Sequence, residues 1–214
     1  MPGPSSTLHS RHVREPARIV RAHLGPYVAL NVLMYGAFLV GMGAALLFPE
    51  LHAARNAAMH EDGTADLVLS LLGNFWLFSL TILAVNTLTV GVATILLPSM
   101  IVPFAGIALA AYRAFEFGTA LAPVDETVAT TLIPHSLTIL VELQAYVLVM
   151  LGAYVLGRSW LRPGTVGAHN RRQGYVRGLR QVGWLSLPAL ALFVVGALYE
   201  AFEIIYIVPR LLAG

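Results

Sequence analysis

Long apolar runs separated by short polar segments organise this chain. A helix that crosses a bilayer needs roughly 20 mostly apolar residues. Five runs meet that length and predict spans over 27–48, 67–97, 99–118, 134–157 and 184–208. The first run exceeds the apolar core of a signal peptide, which is about 7–15 residues. The second is longer than a bilayer requires, so it is expected to tilt or project. Pro98, Ser99 and Pro103 predict a tight reversal between the second and third spans. Residues 1–26 form a basic tail in which Val13, Ala17, Ile19, Val20 and Leu24 give a weak apolar face, as in a short helix on a membrane surface. Residues 49–66, 119–133 and 158–183 read as loops, and 209–214 as a short outer tail.

Composition sharpens this picture. The 214 residues are 57% hydrophobic and 11% charged, against about 25% charged in an ordinary soluble domain. A soluble enzyme, a disordered regulator and a secreted domain are excluded. The expected class is an all-α, polytopic helical bundle in a bacterial cytoplasmic membrane. With no cysteine there is no disulfide, no thiolate metal site and no cysteine nucleophile. All 13 basic residues are arginine, a bias that points to a GC-rich bacterial genome. The arginines lack the interleaved aromatics of a nucleic-acid surface; they read as topology signals and contacts to anionic lipid. Four lie in the tail and six in the 158–183 segment, while 119–133 holds only the acids Asp125 and Glu126. Positive-inside bias therefore places the N-terminus in the cytoplasm and the C-terminus outside.

Ionisable residues within spans are costly and mark function by default. Here they are Arg113 and Glu116 in span three, His135 and Glu142 in span four, and Glu200 and Glu203 in span five. At 1.5 Å per residue, Arg113 lies roughly 21 Å up its span, Glu200 roughly 24 Å up and Glu142 roughly 12 Å down. All fall in the outer half of a core about 30 Å thick. His135, Thr138 and Glu142 share a helix face, as do Glu200 and Glu203, with Gly196 one turn below. The expectation is a polar cluster open to the outside, with Arg113 pairing one or two glutamates. Unpaired carboxylates must then be neutral, hydrated or matched by another subunit. Alternatives stay open: Glu116 and Glu203 snorkelling at the interface, a purely structural Arg113–Glu142 pair, and His135 capping a helix that starts at Pro134. Asn74 and Asn86 read as interhelical hydrogen-bonding residues. Gly106, Ala110, Ala114 and Gly118 form a ridge of small residues for close helix packing, within the monomer or between copies.

Zinc, nucleophile-elbow and nucleotide-loop motifs are absent from the sequence, and no metal or cofactor is expected. Pro134-His135-Ser136, Glu142-Leu143-Gln144-Ala145 and Gly152 carry a family resemblance. So do Asn86 with Gly91, the 106–118 segment and Ala197-Leu198-Tyr199-Glu200-Ala201. On these residues the chain resembles the stage II sporulation protein M family, with Ser136 and Gln144 standing where that family carries Gly and Pro. The resemblance implies a five-span membrane protein without catalysis, with His135, Glu142 and Glu200 as signature residues. It also implies service as a scaffold for envelope partners such as a wall hydrolase or an ATPase. The residues themselves keep two further readings open: an oligomeric, proton-linked transporter, and an intramembrane hydrolase using His135 and Glu142.

Overall fold

The computed structural model describes residues 15–213, and every regular element among them is helical. The tail's residues 1–14, Val13 included, lie outside the described residues. A helical segment over 15–22 buries Ile19 against the bundle. It leads into α1 (Leu24–Leu47), after which α2 (Pro49–Glu61) and α3 (Thr64–Leu71) run through what the sequence presents as a polar loop and the start of a span. The main helices are α4 (Phe75–Ile101), α5 (Ala105–Ala120), α6 (Glu126–Leu161) and α7 (Arg171–Ala213).

Four of these, α1, α4, α6 and α7, are long and apolar enough to cross a membrane, the make-up of a multi-pass membrane protein. The helix in the place of the third expected span, α5, has 16 residues, about 24 Å of rise. The other boundaries move for reasons of capping. The 67–97 run is interrupted at Asn74, whose side chain accepts the Leu77 N–H at 3.1 Å and starts α4 afresh. Asn74 is thus an N-cap and not an interhelical contact. Asp125 caps α6 by accepting from Val128 N at 2.8 Å. Pro134 and His135 therefore sit inside a continuous helix and begin nothing. Asn170 caps α7 on Gln173 N at 2.9 Å, so Arg171, Arg172, Arg177 and Arg180 are helical. The expected outer tail continues the helix to Ala213.

The bundle is built around α6. Of its most apolar window 78% is buried inside the protein, against 28% for α1, 17% for α4 and 28% for α7. The outward faces of those helices, with Val32, Leu39, Leu80, Leu88 and Val195 exposed, suit lipid contact. Two tyrosines tie α1 to the central helix: Tyr35 donates to the Leu140 carbonyl at 3.0 Å, and Tyr27 accepts from Gln144 Nε2 at 2.5 Å.

Close packing within the chain uses up the small-residue ridge. Gly106, Ala110, Ala114 and Gly118 are all buried. A Cβ on Gly106 would stand 1.8 Å from the Ile95 carbonyl oxygen, and one on Gly118 would stand 2.0 Å from that of Phe38. Gly41 answers from α1, where a Cβ would meet the Phe115 carbonyl oxygen at 2.1 Å. The α4–α5 reversal ends on Phe104, held at φ 71°. That is a costly angle for a bulky residue, and the ring is wedged against Gly157 and Tyr154.

The alternation of chain direction gathers the arginines of 18–21 and 158–180 at one end of the bundle. It places Glu50, Glu61, Asp62, Asp66, Asp125 and Glu126 at the other.

Candidate intramembrane polar site

Toward the acidic end, α4, α6 and α7 bring their polar residues together. On α6, His135, Thr138 and Glu142 follow at intervals of one turn along one face. Tyr146 extends that face one turn further. Thr138, Glu142 and Tyr146 are buried, and so is Glu203 from α7. Asn86 of α4 donates through Nδ2 to Glu142 Oε1 and accepts the Tyr146 hydroxyl hydrogen on Oδ1 at 2.8 Å. The Glu142 carboxyl also lies beside that of Glu200. His135 Nδ1 bonds Glu203 Oε1, and Tyr199 donates to the Pro134 carbonyl at 3.3 Å. Gly196 makes room: a Cβ there would stand 3.1 Å from Glu142 Cγ.

Backbone geometry marks the same place. Val85–Leu96 and Glu203–Ile207 are π-helical, so Asn86 and Glu203 each sit at the onset of a π segment. Such segments interrupt α-helices most often at functional sites. Two buried oxygens in the cluster, Thr138 Oγ1 and Glu203 Oε2, have no hydrogen-bond partner among the described residues. Buried polar groups are rarely left so, which gives the site capacity for a further donor.

Arg113 and Glu116 lie apart from this network. Arg113 Nη1 bonds Glu116 Oε2 of its own helix at 3.2 Å, and Arg55 of α2 approaches Glu116 Oε1 at 3.9 Å. Arg113 thus pairs a glutamate, its own neighbour one turn on, and the alternative Arg113–Glu142 pair does not form. A cavity of about 110 Å³ is lined by residues of both groups, Arg55, Arg113 and Glu116 together with Asn86 and Tyr146. Helix α2 folds back over the end of α5, where His52 Nδ1 bonds the Thr119 carbonyl at 3.0 Å and Asn56 bonds His52 Nε2 at 2.9 Å. A carbonyl only accepts, so the His52 hydrogen sits on Nδ1.

Tyr146 joins the network, and Arg55 the neighbouring Arg113–Glu116 pair, without either standing out in the sequence. Tyr146 is visible in hindsight through its four-residue spacing from Glu142. Arg55 carries no such signal, because its segment reads as a solvated loop.

On the arginine side of Asn86, Glu142 and Glu200 the core turns apolar. Leu143, Val147, Met150 and Leu151 of α6 pack with Leu185, Ala189 and Phe193 of α7, all buried. The Phe193 ring lies against Tyr146 with centroids 5.0 Å apart. The described residues contain no group of three or more histidine, aspartate or glutamate side chains arranged to hold a metal ion. No family model, curated protein or solved structure matches the chain.

Proposed function

We propose that this chain is a non-enzymatic subunit or scaffold of a cell-envelope complex in a bacterial cytoplasmic membrane, a divergent relative of stage II sporulation protein M. In this reading α5 is a fifth crossing, with the N-terminus inside and the C-terminus outside. Two contacts support the crossing. Phe104, just before α5, packs on Gly157, next to Arg158 at the arginine end, and Thr119, at its far end, meets His52 of polar α2.

One observation carries the scaffold reading. The carboxyl-rich network of Asn86, His135, Glu142, Glu200 and Glu203 is closed toward the arginine end by the apolar plug around Phe193. A conduit needs a continuous polar path, whereas a docking or structural site needs only a mouth. The test is gentle solubilisation of tagged protein, with native mass and identification of co-eluting chains. A stoichiometric envelope partner, weakened by Glu142→Gln, is the expected result. Unchanged complex composition in that variant overturns the reading.

A second reading, an oligomeric proton-linked transporter, is favoured by the adjacent Glu142 and Glu200 and the hydrogen-bonded His135–Glu203 pair, the usual groups of intramembrane proton relays. It requires pH-driven flux in liposomes that Glu142→Gln abolishes.

A further inference from the structure

We propose that the arginine end carries a binding site for the phosphate-bearing headgroup of an anionic phospholipid. A cavity of about 540 Å³ opens there between the 15–22 helix, the end of α6, the turn that follows and the first turns of α7. Arg18, Arg158, Arg177 and Arg180 line it from three separate segments, with His23 and Gln181 between them.

The charges are not balanced from within. Glu15 is the one carboxylate in the wall, and Arg18 already holds it at 2.5 Å. Arg177 is oriented by donating to the Val166 carbonyl at 2.6 Å, which leaves its other N–H groups free to bond a ligand. Arg158 and Arg180 make no hydrogen bond or ion pair among the described residues. Residues 1–14 contain no aspartate or glutamate to supply one. Holding like charges around one concavity is unfavourable unless an anion occupies it, and the guanidinium fork matches phosphate oxygens.

Topology alone accounts for arginines at this end, and a helix C-terminus accounts for Arg158. Neither accounts for their convergence on one cavity. The level of the cavity names the ligand's source. Trp184 lines it, and Trp160 packs edge-on to Tyr175 nearby with centroids 5.2 Å apart. Such aromatics mark the headgroup layer. From Trp184 to Tyr206, the aromatic at the far end of α7, is about 33 Å of helix, one hydrocarbon thickness. The volume exceeds what a lone phosphate fills and lies in the range of roughly 300–1,000 Å³ usual for small-molecule sites. Basic pockets between membrane helices bind anionic headgroups in this way.

The test is native mass spectrometry of the full chain taken from mixed micelles of equal phosphatidylglycerol and phosphatidylcholine. Phosphatidylglycerol is expected to be retained preferentially. The double variant Arg158→Gln/Arg180→Gln should lower that retention about tenfold. The double variant Arg162→Gln/Arg171→Gln, at the same end but outside the cavity, should leave it unchanged. Equal loss in both variants, or no preference in the unmodified protein, overturns the proposal. Displacement of the lipid by inorganic phosphate at matching concentration overturns the lipid as ligand. If the double variant fails to fold, the single variants Arg158→Gln and Arg180→Gln, read against the same control, decide the matter.

Discussion

Asn86 and Glu142, 56 residues apart in the chain, are joined side chain to side chain in the middle of the polar network. Because Asn86 also accepts from Tyr146 at 2.8 Å, removing it strands two buried groups at once. Asn86→Leu is expected to cost about 1–3 kcal/mol for each group left unpaired. Tyr146→Phe should cost less, about 0.5–1.5 kcal/mol. The two effects should add to less than their sum, since the variants share a hydrogen bond. Thermal unfolding of the three variants in detergent checks this, and full additivity would break the proposed link between Asn86 and Tyr146.

Backbone proximity makes a second prediction with a built-in control. Gly106→Ala places a methyl 1.8 Å from the Ile95 carbonyl oxygen, so α4 and α5 must separate. The expected loss is about 1–3 kcal/mol. Gly36→Ala on α1 meets nothing within 4 Å; there helix propensity favours alanine, by up to about 1 kcal/mol. Opposite shifts of the melting temperature are the result to look for.

The apolar runs were enough to read the all-helical class and a multi-pass membrane make-up, with four of the five expected runs forming helices long and apolar enough to span. Helix limits were less legible, because Asn74, Asp125 and Asn170 sit in polar stretches where a capping residue looks like any loop residue. The spacing of His135, Glu142, Glu200 and Glu203 showed which residues share a face. It did not show which pairs form, since that depends on how α7 is rotated against α6. Arg113 illustrates the limit. Its partner is one turn away, and the second cation at Glu116 comes from α2, a segment whose polarity argues for solvent until its fold over α5 is seen.

Glu116 lies between two arginines, and the contacts differ in quality: 3.2 Å to Arg113 and 3.9 Å to Arg55. Both pairs keep some access to solvent, so each alone is worth about 1 kcal/mol or less. Arg113→Gln and Arg55→Gln should each be mild. The double variant should lose more than the sum, because a largely buried carboxylate is left without a cation. A double-mutant cycle on detergent stability measures the difference.

Between α2 and α3, Asp62 is held below the ordinary aspartate value by hydrogen bonds from the Thr64 side chain and from Thr64 N, the latter at 2.9 Å. A folded value below the unfolded one contributes stability above the unfolded value, and that stability is lost as pH falls through the folded one. Acidification should therefore loosen the α2–α3 junction before the bundle. Thr64→Val removes the side-chain bond and should move the Asp62 titration up toward its usual range, read by carboxyl-carbon NMR. An unmoved titration would remove Thr64 as the cause.

The deep burial of α6, 78% over its most apolar window, has a consequence for biogenesis. This helix leaves the ribosome before α7, yet Glu200 and Glu203, the partners of Glu142 and His135, belong to α7. During synthesis α6 must wait with Asn86 of α4 as the one partner of Glu142 and with His135 unmatched, sheltered by the insertion machinery or displaced toward the headgroups. The last helix to arrive completes its burial. A nascent chain stopped before Arg171 is then a natural substrate for membrane quality-control proteases, and the full-length chain escapes them at the moment α7 docks.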